Sequence, residues 1–289
     1  MKDFFKKILK QHHQPTSIRT IHPVSGGSIN DAYYVETDER AFFIKTNTNI
    51  PSHFFQVEAT GLQLIEESNT IDVPHVYGYN HPDSNETGYL ILDWIEGNAL
   101  SKTNEQLGHS LAKMHRSEGE KYGLNQDTFI GALTQPNEEY NDWLTYYRNH
   151  RLWPQYEQGL QKGRMPGSRR KKMEALLEQL DRWVPASPAP SLLHGDLWGG
   201  NWITGPQGRP YLIDPSVLYG DHLFEIAFTE VFGGFSPEFY RAYNERFPLP
   251  EYYEDVKPLY QLYYLLVHLN LFGEGYGGSV DRILNRYIG

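Results

Sequence analysis

Close to residue 98 the hydrophobic pattern of this 289-residue chain changes period, which limits the folds open to it. Before that point the apolar runs are short and β-like. DAYYVE (31–36) and AFFIK (41–45) are rich in β-branched and aromatic residues and are joined by the polar turn TDER, a hairpin signal. Ser52 stands as a possible N-cap for HFFQVEATGLQLIEE, whose apolar residues recur at helical spacing. After a Val73-Pro74 break, YLILDWI (89–95) reads as a buried strand. Beyond 98 the period is that of helices. Leu107, Leu111, Met114 and His115 fall on one helix face, and Leu259, Leu262, Tyr263, Leu266 and Leu269 form a second stripe. A small β-rich lobe followed by a larger, mainly helical lobe is expected, an α+β architecture. The length agrees, at roughly 150 residues per domain.

Composition removes several function classes. A net charge of −10 disfavours holding a phosphate backbone non-specifically, though one local basic site could still take a nucleotide. With no cysteine there is no disulfide framework, thiolate zinc site or cysteine nucleophile. MKDFFKKILKQHH lacks the apolar core and cleavage site of a signal peptide. The most apolar stretch, LYYLLVHLNLF (262–272), is about half a membrane span. A soluble cytoplasmic protein without nucleic-acid or membrane partners is expected. The basic connector QKGRMPGSRRKK (161–172) reads as a solvated loop entering a helix, in preference to an acidic-substrate patch.

The chemistry concentrates in SLLHGDLWGGNWITGPQGRPYLIDPS, 191–216. Asp196 and Asn201 are spaced D-x-x-x-x-N, with His194 two before the aspartate. TGPQGRP is a turn, so 201–204 and 210–213 read as a hairpin that brings Asn201 close to Asp214. Phosphoryl transfer needs such a set: a carboxylate to orient the acceptor hydroxyl and take its proton, and two oxygen ligands to hold Mg²⁺ against nucleotide phosphates. A single aspartate here would be a turn or cap residue; the combination is what carries the reading. His194 is read as a neutral ring holding the loop by hydrogen bonds. His109 and His115, six apart, lie on different helix faces, unlike a zinc pair. Trp143 and Trp153 are assigned to the core.

The small lobe supplies a cation. Lys45 ends the AFFIK strand, and Glu58 lies in the apolar helical stripe Phe54, Glu58, Leu62, Ile65. A carboxylate in an apolar stripe is costly unless a cation meets it, and Lys45 is the candidate. This is the strand-lysine to helix-glutamate pair that positions phosphates in kinase folds. Ser25-Gly26-Gly27-Ser28 sits where a phosphate-covering loop would fall, a weak signal by itself. There is no G-x-x-x-x-G-K-[ST], and the G-x-G-x-x-G at Gly273, Gly275 and Gly278 leaves too little chain for a dinucleotide unit.

These motifs resemble the fructosamine-3-kinase (ketosamine-3-kinase) family, a branch of the protein-kinase-like fold that also holds aminoglycoside phosphotransferases and choline kinases. The resemblance is carried by SGGSIND (25–31), the Lys45 strand, EATGLQLI from Glu58, LGHSLAKMHR (107–116), YGLNQDTFIGALTQPN (122–137), NDWLTYYRNHRLWPQ (141–155), HGDLWGGN (194–201) and IDPSVLYGD…EIAFTEVFGGF (213–235). It spans nearly the whole chain. HGD-x4-N is common to the superfamily, whereas IGALTQPN, RLWPQ, HGDLWGGN and FGGF are specific to this branch. The resemblance implies a bilobal protein-kinase-like fold, with an ATP-binding lobe at 1–93, a hinge at 94–97 and a catalytic, substrate-binding lobe at 98–289. It implies Asp196 as catalytic base, Asn201 and Asp214 as Mg²⁺ ligands, Lys45 on the α- and β-phosphates with Glu58 holding it, and Gly26, Gly27 and Ser28 over the phosphates. Around Leu92–Ile95 the backbone of Asp93 and Ile95 would bond adenine, and Trp198 would pack near the sugar. Ser28 stands where several members carry cysteine, so thiol regulation through that loop is not expected. Gly195 replaces the arginine of H-R-D, and no A-P-E segment follows, which fits a small-molecule kinase free of activation-loop control.

The expected activity is ATP- and Mg²⁺-dependent phosphorylation of the C3 hydroxyl of ketoamine adducts (fructosamine or ribulosamine), small or protein-bound, by a monomer. The 3-phosphate then leaves and the free amine returns. One alternative keeps the fold but takes an aminoglycoside, choline or other amino-alcohol. Another is a catalytically silent binding module, which would have lost at least one of Lys45, Asp196, Asn201 or Asp214; all four are present.

Overall fold

A computed structural model of the chain describes residues 1–25 and 29–289. Helix α1 (Lys2–Gln11) precedes strands β1 (Ile18–Val24), β2 (Asp31–Thr37) and β3 (Ala41–Asn47), followed by α2 (Phe54–Glu67), β4 (Val76–Tyr79) and β5 (Gly88–Asp93). The strands form one antiparallel sheet in the order β1-β2-β3-β5-β4. The expected hairpin is present, with Glu36 opposite Ala41.

Strand alternation divides the side chains of β3 and β5 between two cores. Phe42, Ile44, Tyr89 and Ile91 bury against Phe5, Ile8 and Leu9 of α1. Phe43, Leu90 and Leu92 face the opposite side with Phe55, Ala59, Leu62 and Ile65 of α2. Covered on both faces, β5 reads as the continuous apolar run YLIL. Lys45 shares the α2 side with Phe43, which brings it to Glu58. Helix α2 starts one residue later than expected: His53, not Ser52, occupies the N-cap position, and no side chain caps it.

Residues 94–102 form neither helix nor strand. Helix α3 (Thr103–Met114) follows, then a short hairpin of β6 (Thr128–Ile130) and β7 (Leu133–Gln135). Helix α4 (Trp143–Tyr146) passes through a π-helical stretch at Tyr147–Leu152 into α5 (Trp153–Gln161), and α6 (Gly167–Glu178) comes next. The strands β8 (Ser191–Leu193), β9 (Trp202–Thr204), β10 (Pro210–Leu212) and β11 (Leu218–Gly220) pair as β8 with β11 and β9 with β10. Helices α7 (His222–Thr229), α8 (Pro237–Arg246), α9 (Tyr253–Phe272) and α10 (Gly277–Ile288) complete the chain.

The stripe expected on α9 is buried in full, and so are Tyr260, Tyr264 and Val267 around it. This helix is the centre of the large lobe, with Tyr264 stacked on Phe228 of α7 at 3.6 Å between ring centroids. Each such aliphatic side chain contributes about 1.5–3 kcal/mol by leaving water. Two expectations need correction. Trp143 is in the core, but Trp153 is exposed. The basic connector does run into α6, yet Arg169 turns inward to pair with Glu274 and Asp281, both at 2.7 Å. Among the described residues, no helix is long and apolar enough to cross a membrane.

Candidate active site

The short pair β9–β10 does the work expected of it. Its two ends are tied where Ile213 N–H donates to Asn201 O at 3.0 Å, so Asn201 and Asp214 flank one opening. Asp196 reaches the same place from the loop after β8. Within that loop Gly195 has φ +84°, and a Cβ there would lie 1.9 Å from Ser216 O. Only glycine fits this backbone, which accounts for the missing arginine. The Asn201 amide donates to Asp196 O at 2.8 Å and to its Oδ2 at 3.2 Å. That orientation leaves the Asn201 side-chain oxygen without a donor among the described residues.

Across the opening, Lys45 Nζ donates to Glu58 Oε1 at 2.6 Å and to Asp214 Oδ1 at 2.7 Å. A cleft of about 200 Å³ is lined by Lys45, Glu58, Asp196, Asn201 and Asp214, with Trp198 at its lip. Trp198 is 43% exposed, and its ring lies so close over Gly200 that a Cβ there would clash. The lining set does not extend to Asp93 or Ile95. Asp93 N–H donates to His75 O, and its carboxylate takes the His75 N–H and the Tyr77 hydroxyl. Ile95 N–H has no acceptor among the described residues. Gly26, Gly27 and Ser28 lie outside the described residues.

Burial disfavours an ammonium, but the Asp214 and Glu58 carboxylates outweigh it and hold Lys45 protonated well above the usual lysine range. Burial, with the Asp214 charge next, pushes Asp196 up to about 8 against the opposing bond from Asn201. In its ionised form, a carboxylate with that affinity for protons can take one from a hydroxyl. His194 is fully buried. Its Nε2 lies 2.8 Å from Ile213 O while Asp196 N–H faces its Nδ1 at 3.3 Å, which sets the Nε2–H tautomer. Burial lowers its pKa, so the ring is a neutral strut for the loop, as expected.

Sequence reasoning missed what holds that loop from behind. Glu225 on α7 has no exposed surface. Its carboxylate accepts the backbone N–H of Gly195 at 2.6 Å and of His194 at 3.1 Å, and faces His115 Nε2 at 2.8 Å. Burial works to raise its pKa, but these donors hold it below the usual carboxylate value. Behind it, His115 Nδ1 and His222 Nδ1 both meet the Tyr243 hydroxyl, at 2.7 and 2.8 Å. The signal was available: Glu225 is the lone carboxylate in the apolar run LFEIAF, the same argument that singled out Glu58.

The Asn201 side-chain oxygen and the outer oxygen of Asp214, neither claimed by a donor among the described residues, form an all-oxygen set suited to a hard divalent cation. A lysine fixed by two carboxylates, a carboxylate held by an amide, and an oxygen set facing one cleft can together seat a polyphosphate and deprotonate a hydroxyl.

Comparison with known proteins agrees with that geometry. The family model described as fructosamine kinase matches residues 1–289. A protein named "Probable ketoamine kinase" from Enterococcus faecium is 38% identical over 266 residues, covering 92% of this chain and 94% of the relative. The chloroplastic protein-ribulosamine 3-kinase of Oryza sativa is 35% identical, covering 94% and 80%. A crystal structure from Haemophilus somnus, provisionally named a fructosamine-3-kinase, superposes with a TM-score of 0.86 at 27% identity, covering 98% of this chain and 95% of that one. An aminoglycoside phosphotransferase solved with ADP and hygromycin B shares the fold at a TM-score of 0.65 and 17% identity, covering 98% of each chain. The β-sheet lobe and helical lobe are those of a protein-kinase-like fold, and the chain belongs to the fructosamine kinase family.

Proposed function

We propose that the protein is an ATP-dependent ketosamine kinase that phosphorylates the C3 hydroxyl of fructosamine or ribulosamine adducts and so initiates deglycation. The observation that carries this reading is the Lys45 ammonium bridging Glu58 and Asp214 in the cleft that holds Asp196 and Asn201. Lys45 binds the α- and β-phosphates, and Glu58 fixes its direction. The Ile95 N–H and the Asp93 backbone take the adenine edge, and Gly26, Gly27 and Ser28 cover the phosphates. Asp196 orients the acceptor hydroxyl and receives its proton as the O3–P bond forms and the bond from the γ-phosphorus to the ADP oxygen breaks. Asn201 keeps the Asp196 carboxylate aimed. Trp198 offers its face to the sugar.

Asn201 and Asp214 would hold Mg²⁺, whose chemistry there is to neutralise charge on the phosphate oxygens. The names of the ketoamine and ribulosamine kinases among its relatives support the acceptor class. The lobes divide at 1–93, 94–97 and 98–289, with the phosphate chemistry between them. The protein acts as a monomer in the cytoplasm. The test is ADP release with Mg-ATP and ribulosyl-lysine, fructosyl-lysine or kanamycin as acceptor. Turnover with the two ketoamines and none with kanamycin is expected. The reverse order, or unchanged turnover in Asp196→Ala, overturns the assignment.

A further inference from the structure

Helix α2 carries Glu58 one turn inside its N-terminus, yet that terminus has no capping side chain and no acidic residue in its first turn. Pro51 O takes the Phe54 N–H at 3.0 Å, but no side chain caps the start, so tertiary packing helps fix where the first turn sits. Phe55 packs that turn onto its own sheet, and the other lobe supplies the contact on Phe54. Phe129, in the β6–β7 hairpin, lies 4.8 Å from Phe54 and 5.4 Å from His53 between ring centroids. Phe54 and Glu58 are four residues apart, on one helix face, and both line the cleft together with Phe129 and Gly131.

The hairpin is itself held firmly at its base. Arg151, fully buried and without a carboxylate partner among the described residues, donates to Pro136 O at 3.0 Å and to Asn137 Oδ1 at 2.8 Å. Asn137 in turn donates to Gln126 O and Thr128 Oγ1 and accepts the Tyr146 hydroxyl. At the tip, Gly131 has φ +59°, and a Cβ there would press on Ile29 and Leu271 at 3.4 and 3.3 Å. The hairpin therefore has a fixed root in the helical lobe and a tip between Leu271 of α9 and Ile29 of the sheet lobe.

We infer that Phe129 is a positioning residue for the nucleotide. From the helical lobe it seats the first turn of α2, and thereby the Glu58 carboxylate that aims Lys45. The inference rests on the proposed role of Lys45 in binding phosphates. It makes β6–β7 a further contact between the lobes, beside residues 94–97, the Lys45–Asp214 pair and the Leu212 N–H to Asp72 O bond.

Isothermal titration with Mg-ADP tests it. Phe129→Ala and Phe54→Ala should each weaken Kd roughly three- to tenfold, the range an aromatic pair contributes. The double variant should be no weaker than the weaker single within about twofold, because both remove one contact. Phe129→Tyr should restore the wild-type Kd, and the Tm of Phe129→Ala should stay within a few degrees of wild type. Wild-type Kd in Phe129→Ala, or fully additive losses in the double variant, would overturn the inference. If Phe129→Ala does not fold, Phe129→Leu is read instead: at least twofold weaker binding supports the inference and an unchanged Kd refutes it. Failure of the wild-type protein to bind Mg-ADP would instead sink the kinase reading.

Discussion

Glu225 illustrates how a residue behind a loop can decide that loop's geometry. Fully buried, it holds two consecutive backbone N–H groups immediately before Asp196. Glu225→Gln keeps the shape but turns an amide N–H₂ toward donors that need an acceptor. The expected result is a stability loss of about 1–3 kcal/mol, read as a lower denaturant midpoint, with a fall in kcat that exceeds any change in KM. Asp214 makes the contrasting case. Its side chain is 45% exposed, so Asp214→Asn should leave the fold intact by circular dichroism while abolishing Mg²⁺-dependent turnover. Retained activity would remove it from the proposed ligand set.

Among the elements, α10 sits on α6 through Val280, Ile283 and Leu284 in the shared core, the Lys172–Asn285 bond and one buried cation. Arg169 has 2% of its side chain exposed and takes both Glu274 and Asp281, whose outer faces are solvated at 59% and 44% exposure. Removing the arginine leaves carboxylates that can rehydrate, so the cost is below the 3–5 kcal/mol of a wholly buried pair. Arg169→Met should lower stability by about 2 kcal/mol, a Tm drop of roughly 3 °C by thermal melt for a chain of this length, with KM unchanged because the pair is remote from the cleft. Helix α2 follows the same logic with aromatic contacts: what it lacks in capping, it receives from Phe129 across the lobes.

At the scale of the whole molecule, His222 is one of the buried groups that set acid stability. Burial, with His115 adding, pushes its pKa down to about 3 from 6.5. A depressed histidine pKa means the unfolded chain takes the proton first, so this contribution to stability is lost as pH falls from about 6.5 toward 3. Asp221, raised by burial to about 6 from 3.8, and Asp196, raised by burial to about 8, act with the opposite sign, while the lowered His194 adds to His222, so the wild-type slope is a sum over several groups. The clean readout is a difference. His222→Phe should gain on wild type by about 1.4 kcal/mol per pH unit as pH falls from 6.5 to 4, measured by urea unfolding. A pH-independent difference would refute the assignment. The two-lobe order, the β2–β3 hairpin, the buried β5 strand and the Asp196, Asn201 and Asp214 set were legible because each is written in local spacing: a period of two, five residues between side chains, a turn between short strands. The Lys45–Glu58 pair was legible because a charge in an apolar stripe needs a partner. Helix α1, the Arg169 seat, the exposure of Trp153, and the Phe129–Phe54 contact across 75 residues were not. Periodicity tells which face of an element is apolar, but which surface covers that face is chosen by the packing of the assembled chain. The sequence alone determined the chemistry that could gather here; only the tertiary structure decided what holds it in register, because those supports are contacts between elements whose relative placement no local spacing encodes.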